Sequence, residues 1–202
     1  MTLSISNIRN MLADDQEELV KAYVDMFSCA AKQEDGSVKE LNPDIERFLK
    51  TNAIQFAKMK TAVTYLAVDA DDGALLGYFA LAHKPLEIPA DGLTRKIKDQ
   101  IKRFSQLDEK KNTYTVSAFL LGQFGKNYAV DNGRRISGSE LMKAAKEQLQ
   151  EAQDKVGGTI FYLDCEADAN LIRFYENQRF TLFGERISEK DGKRYLQYLS
   201  FV

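Results

Sequence analysis

Tyr175 lies in the run YLDCEADANLIRFYENQRF (162–180), which reads as a buried strand leading into a short helix and at once into another strand. A tyrosine there serves either as core packing or as a proton donor at the open edge of an α/β sheet. With an ordinary pKa of about 10, its phenol stays protonated at neutral pH and can give a hydrogen to a departing anion. Its neighbours Leu171, Ile172 and Phe174 form an apolar face, so periodicity alone favours packing. Glu166 and Asp164 at the end of the preceding strand are candidate general bases, directly or through water. The single histidine, His83, is a third, competing with a hydrogen-bonded structural role. A second constellation is GKNYAVDNGRRISGSELM (125–142), where a buried strand ends, a glycine-rich basic loop follows and a strong helix starts. Unpaired N–H groups and the positive end of a helix dipole suit a phosphate, with Lys126, Arg134 and Arg135 adding charge. The competing reading is that Ser137, Gly138 and Ser139 only cap the helix.

Other chemistries lose their basis. Gly133 and Gly138 have the glycine spacing of a nucleotide-binding P-loop, but Ser139 stands where the lysine belongs and Glu140 where Ser/Thr would hold magnesium. No GxGxxG is present. Cys29 and Cys165 lack metal-ligand spacing, so a metal site or a Cys–His nucleophile pair is not expected, and both read as small buried hydrophobes. The 202 residues are 44% hydrophobic and 29% charged with a net charge of −2, which suits a single α/β domain and gives no global drive towards nucleic acid or anionic membrane. The start of the chain lacks the basic and apolar pattern of a secretion signal and no stretch reaches membrane-span length. The expected location is the cytoplasm.

The elements that must position these residues follow from periodicity. Leu19, Val20, Tyr23, Met26 and Phe27 predict a first helix after Asp14-Asp15, and Asn42-Pro43 opens a second carrying Ile45, Phe48, Leu49, Ile54 and Phe56, with 30–41 a polar loop. TAVTYLAVDA, a DDG turn and ALLGYFALAHKPLEI predict a hairpin. A helix over 93–107 turns Leu93, Ile97, Ile101 and Phe104 inward. TYTVSAFLLGQF reads as a central strand buried on both faces, and Ser139 to Lys155 as the clearest helix, stopped by Gly157-Gly158. The strand TIFYLDC, a helix over 170–178, the strand FTLF, a KDG turn and a last strand complete the chain. That last strand has apolar residues on both faces, which suits a homodimer contact as well as a core.

Together, LLGQFGKNYAVDNGRRISGSELM and DANLIRFYENQRF resemble the GNAT superfamily of acyl-CoA-dependent N-acetyltransferases, over roughly residues 61–202. Gly138 matches the last glycine of the family's cofactor loop, and Tyr175, Glu176 and Phe180 match its next motif, N-x-x-A-x-x-x-Y-E-x-x-G-F. The departures are Ile136 at a glycine, Gly133 at the Gln/Arg, Asp168 at the asparagine and Arg179 at the glycine before Phe180. The segment 27–81, with an F-x-C element, a helix ending in FL and a hairpin containing GYF, looks like the family's bacterial toxin-like branch, which includes toxins that acetylate aminoacyl-tRNA.

The resemblance implies one GNAT-type α/β (α+β) domain over 1–202 with a helical insertion at about 93–112. Its mixed, mostly antiparallel sheet would be flanked by helices and splayed between the central strand 113–125 and strand 159–165. It implies acetyl-CoA as cosubstrate and no metal, with backbone N–H groups near Phe124, Gly125 and Lys126 facing pantetheine and the thioester oxygen. Arg134, Arg135, Ser137, Gly138, Ser139 and Asp168 would complete the cofactor site. Tyr175 becomes the general acid, with Glu166 the first candidate base. Acceptors left open are small amines, peptide or protein amines and aminoacyl-tRNA. A non-catalytic CoA-binding or interaction module is the alternative from another class.

One cluster stands outside this scheme. LTRKIKDQIKRFSQLDEKKN (93–112) carries seven Lys/Arg against three acidic residues. It reads first as the solvated face of an amphipathic helix, because no aromatic interleaves the charges; RNA phosphates or an acidic partner are the alternatives. No membrane partner is expected.

Overall fold

The computed structural model describes residues 2–32, 37–131, 135–189 and 192–202. The chain divides into two compact units, residues 1–82 with 122–148 and residues 83–121 with 149–202. Hydrogen-bonded strands run in the order β1 (Leu3–Asn7), β4 (Val63–Asp69), β5 (Leu75–Pro89), β7 (Thr113–Lys126), β8 (Ile160–Glu166), β10 (Arg194–Phe201), β9 (Thr181–Ile187), with β6 (Leu107–Asp108) beside β7, in a mixed and mostly antiparallel sheet flanked by helices, as expected.

The first unit contains β1 (Leu3–Asn7), α1 (Ile8–Ala13), α2 (Glu17–Asp25), β2 (Ala30–Lys32), β3 (Val38–Glu40), α3 (Pro43–Thr51), α4 (Ala53–Met59) and β4 (Val63–Asp69). The start of β5 (Leu75–Pro89), the end of β7 (Thr113–Lys126) and the start of α6 (Gly138–Val156) complete it. β1 and β4 pair antiparallel from Leu3↔Asp69 to Asn7↔Tyr65, and β4 pairs with β5 from Val63↔Leu81 to Val68↔Leu75. Asn7 ends β1 and caps α1, its side chain accepting from the N–H groups of Arg9 and Asn10. The core gathers Ile8, Val20, Val24, Phe27, Leu49, Ala53, Leu66, Leu75 and Tyr78.

Three expectations are revised in this unit. On α2 and just past its end the buried stripe is Val20, Val24 and Phe27, at i, i+4 and i+7, while Leu19 and Met26 stay half-exposed. The helix opened by Pro43 is two helices that meet at Asn52. The supposed loop contains the ribbon β2–β3, whose strands are too short to show a period.

The second unit contains the rest of β5, α5 (Arg95–Ile101), β6 (Leu107–Asp108), the start of β7, the end of α6, β8 (Ile160–Glu166), α7 (Ala169–Asn177), β9 (Thr181–Ile187) and β10 (Arg194–Phe201). β7 and β8 pair in parallel from Ala118↔Ile160 to Leu120↔Tyr162, and each strand continues beyond that short register. β8 pairs antiparallel with β10 from Glu166↔Tyr195 to Ile160↔Phe201, and β10 with β9.

Side-chain alternation sorts this unit into two faces. Ile160 and Tyr162 join Leu93, Ile97 and Ile101 of the α5 region, with Tyr114, Val116 and Leu199. Phe161 and Cys165 turn the other way, where Phe161 meets Phe180 and Cys165 lies in the electrostatic surroundings of Tyr175. β10 lies between β8 and β9, and its apolar residues serve both faces, so the core alone accounts for that pattern. β7 is not buried on both faces throughout: Tyr114 and Val116 are buried, whereas Thr115 and Ser117 are exposed. Phe104 also departs from expectation. α5 ends at Ile101, and the Phe104 ring, past the helix, is 41% exposed. Among the described residues no helix is long and apolar enough to cross a membrane.

Candidate functional site

The phosphate-loop candidate belongs to the first unit. β7 ends against Asn127, whose fully buried side chain makes four hydrogen bonds. Its Oδ1 accepts from the N–H groups of Ser28 and Ala129, and its Nδ2 donates to the carbonyls of Met26 and Leu75 at 2.9 and 2.8 Å. Every polar site on this amide has a partner, which anchors the loop to α2 and β5. The backbone N–H of Asn127 donates to Leu76 O of β5. By the two-residue alternation of a strand, the N–H of Gly125 points the same way, and those of Phe124 and Lys126 point to the other edge. Gly125 itself has no room for a side chain, since a Cβ would sit 2.6 Å from Ile45 Cγ2.

Beyond Asn127, Arg135 is committed to the loop itself. Its Nε donates to Val130 O at 3.1 Å, its terminal nitrogen donates to Tyr128 O at 3.0 Å, and its guanidinium lies over the Tyr128 ring. Lys126 Nζ lies 5.6 Å from the centre of the same ring. Ile136, at the position where the resemblance has glycine, turns its side chain into the core. Arg134 and Gly133 lie outside the described residues.

At the helix start, the Ser137 Oγ accepts from Glu140 N–H at 3.1 Å, and the Glu140 carboxylate accepts from Ser137 N–H at 2.9 Å. This reciprocal capping box satisfies two of the N–H groups that a phosphate would seek. The two hydrogen bonds from Ser137 lower the pKa of Glu140 below the ordinary carboxylate value. Sequence reading missed the roles of both Asn127 and Glu140. The S-x-x-E spacing of Ser137 and Glu140 was the available signal for the second.

The tyrosine candidate belongs to the second unit. Asp168 caps α7, its carboxylate accepting from Asn170 and Leu171 N–H at 2.8 and 3.1 Å. The helix closes in a Schellman motif: Phe180 N–H bonds to Tyr175 O, and Arg179 N–H bonds to Glu176 O. That motif wants a left-handed residue between them, and Arg179 supplies it at φ +68°. It also wants an apolar contact between its two ends, and the rings of Tyr175 and Phe180 meet at 5.9 Å. The register of Tyr, Gly and Phe in the resemblance is thus the geometry of a helix end.

The motif explains the ring of Tyr175 and leaves its hydroxyl unexplained. The residue is 8% exposed, edge-on to Phe174 and near Tyr198, yet its hydroxyl makes no hydrogen bond to any described residue. Burial, with Cys165 adding to it, raises its pKa well above the ordinary tyrosine value. Burial first, then Asp164 and Asp168, pushes the Cys165 thiol up to about 11, so it stays protonated too.

The candidate bases are placed elsewhere within this unit. The pleat turns Asp164 and Glu166 to the face opposite Cys165. Arg186 and Gln197 occupy the two oxygens of Asp164 at 2.6 and 3.1 Å, and Lys193 holds Glu166 at 2.7 Å. His83 Nε2 lies 2.7 Å from Ser117 Oγ, its ring against Phe119.

The strand order and the helices after β7 and β8 define a GNAT-type acetyltransferase fold. The solved structures it matches include bacterial toxins of that fold. AtaT complexed with acetyl-methionyl-tRNAfMet matches at 15% identity over 96% of this chain and 94% of that one, with a TM-score of 0.60. A tyrosine-to-phenylalanine mutant of KacT matches at 16% identity over 98% and 95%, with a TM-score of 0.59. AtaTR bound with acetyl-CoA matches at 15% identity over 98% and 92%, with a TM-score of 0.53. No protein-family model and no curated protein matches the chain.

Proposed function

We propose that the protein transfers an acetyl group from acetyl-CoA to a primary amine, with Tyr175 as general acid, and that the amine is the α-amino group of an aminoacyl-tRNA. The observation that carries the reading is the Tyr175 hydroxyl. A phenylalanine would serve the Schellman contact equally well, but only the phenol supplies a proton. The phenol is protonated at every physiological pH, as a proton donor to a leaving thiolate must be.

The donor chemistry of the first unit fits a CoA cosubstrate, which supplies the activated acetyl thioester. The N–H of Lys126, on the edge of β7 away from β5, would polarise the thioester carbonyl, with the strand end lying along pantetheine. Gly138, Ser139 and the start of α6 would take the diphosphate, with Lys126 supplying charge and Arg135 stiffening the loop. Asp168 acts by holding α7, and so Tyr175, in place.

Two observations support the aminoacyl acceptor. AtaT has been solved with acetyl-methionyl-tRNA, over nearly the full length of both chains. Moreover, Glu166 and Asp164 are tied to Lys193 and Arg186 on the face away from Tyr175. An α-amine beside an ester carbonyl loses basicity by electron withdrawal and is available neutral, so it needs no strong base.

The test is Tyr175→Phe, assayed with acetyl-CoA and charged tRNA, peptides and small amines. Turnover on the accepted amine should fall by about 10²- to 10⁴-fold, with acetyl-CoA affinity and melting temperature retained. Unchanged turnover removes Tyr175 from the chemistry. A wild type that binds acetyl-CoA but acetylates no amine is the non-catalytic module; one that binds neither acetyl-CoA nor CoA overturns both.

A further inference from the structure

The inserted segment between the two long strands carries charge that neither the fold nor the proposed chemistry uses. Over α5 and the turn that follows, Leu93, Ile97 and Ile101 face the core, which leaves Arg95, Lys96, Asp99, Lys102 and Arg103 on the outer side. Asp99 is the only acidic residue among them and lies 3.8 Å from Arg95. After β6, Asp108 spends one carboxylate oxygen on the N–H groups of Lys110 and Lys111, which shapes the turn, and Lys111 reaches Glu87 at 3.5 Å. Lys96, Lys98, Lys102, Arg103 and Lys110 have no carboxylate partner among the described residues.

A surface for single-stranded nucleic acid needs an aromatic ring among its charges, and helical spacing alone would bury the one ring of this segment in the core. Phe104 escapes that fate. The residue directly follows Arg103, is 41% exposed, and its ring meets that of Phe201 edge-on at 6.4 Å. An exposed ring beside unneutralised cations is the pairing that single-stranded nucleic acid uses: phosphates on the charges and a base on the ring. An acidic peptide would use the charges and gain little from the ring.

We infer that the α5–β6 face is an RNA-binding surface, on which Lys96, Lys102, Arg103 and Lys110 contact phosphates and Phe104 stacks on an unpaired base. This rests on the aminoacyl-tRNA reading, because the charged end of such an RNA is single-stranded. The surface adds affinity for the nucleic acid and takes no part in the transfer.

The experiment measures binding of charged tRNA, uncharged tRNA and polyglutamate by fluorescence anisotropy across a salt series, for the wild type, Lys96→Ala/Lys102→Ala/Arg103→Ala, Phe104→Ala and Phe104→Tyr. The triple variant should weaken binding at low salt and lower the slope of log affinity against log salt by about one for each phosphate that is no longer neutralised. Phe104→Ala should weaken binding by about five- to 150-fold, and Phe104→Tyr should restore it. Acetyl-CoA affinity should stay unchanged in all variants. Wild-type binding and acetylation of charged tRNA with unaltered binding by the variants overturns the surface and leaves the reading standing. A wild type that acetylates small amines but neither binds nor acetylates charged tRNA overturns the acceptor reading and this inference with it. Loss of binding to polyglutamate, with tRNA binding unchanged, assigns the face to an acidic protein and overturns the RNA proposal.

Discussion

At the scale of single residues, Arg179 and Glu140 have local roles with measurable consequences. Arg179 occupies the left-handed position of the Schellman motif at φ +68°, where a residue with a Cβ is strained by about 1–2 kcal/mol. Glycine removes that strain but loses about 0.5–1 kcal/mol through unfolded-state entropy. Arg179→Gly should therefore raise stability by about 0.5–1 kcal/mol in urea titration, and a variant no more stable than wild type would sink the strain argument. Glu140 is the opposite case, a residue that fits the helix and opposes the ligand. Its carboxylate takes the Ser137 N–H that a diphosphate would use. Glu140→Gln should accordingly bind acetyl-CoA about two- to fivefold more tightly by calorimetry, the scale of one charge at a helix N-terminus. The same change should cost stability in a pH-dependent way. The folded-state pKa of Glu140 is lowered, so its contribution is present above the unfolded-state value and is lost as pH falls through the folded one. Wild type and variant should differ at neutral pH and converge in acid. A difference that instead grew on acidification would contradict the capping box as its source.

At the scale of elements, what could be read from sequence was what carries a long period. Ser139 to Lys155 is visible because Leu141, Met142, Ala145, Leu149 and Ala152 repeat over about three turns, and the structure runs that helix from Gly138 to Val156. The hairpin β4–β5 and the strand–helix pair β8–α7 were equally legible. Strand β1 was not, since LSISN gives two alternations before Asn7 turns the chain into α1. β6 is two residues long and exists only by pairing with Tyr114 and Thr113. The candidate site was legible as residue types but not as bonding: no spacing in the sequence says that Arg135 would spend its donors on Val130 and Tyr128, or that Asn127 would lock the loop. Asn127 shows what that lock is worth. Asn127→Ala leaves buried N–H and C=O groups of Ser28, Met26 and Leu75 without partners, at about 1–3 kcal/mol for each group that water cannot reach. A loss of about 2–4 kcal/mol in urea titration is expected, together with weaker acetyl-CoA binding as the β7–α6 loop slackens. A loss below about 1 kcal/mol would mean that water or neighbouring groups replace the amide.

At the scale of the whole molecule, the question is whether two compact units fold as two domains. Their boundary falls inside regular elements: β5 is divided between Ala82 and His83, β7 between Leu121 and Gly122, and α6 between Gln148 and Leu149. Domain boundaries ordinarily lie in exposed linkers rich in proline, glycine and polar residues. Unfolding one unit alone would here fray two strands and a nineteen-residue helix in mid-element, exposing backbone groups and apolar side chains on the part that stayed folded. We therefore propose that residues 1–202 are one cooperative domain. The chain has no tryptophan, so hydrogen exchange read by mass spectrometry is the direct probe. Peptides from β4 in the first unit and β10 in the second should reach the same maximal opening free energy and show the same dependence on urea, as segments that open only globally do. Two plateaus, with β10 opening at a lower free energy and a shallower urea dependence than β4, would instead make the units separate folding domains joined by frayed elements.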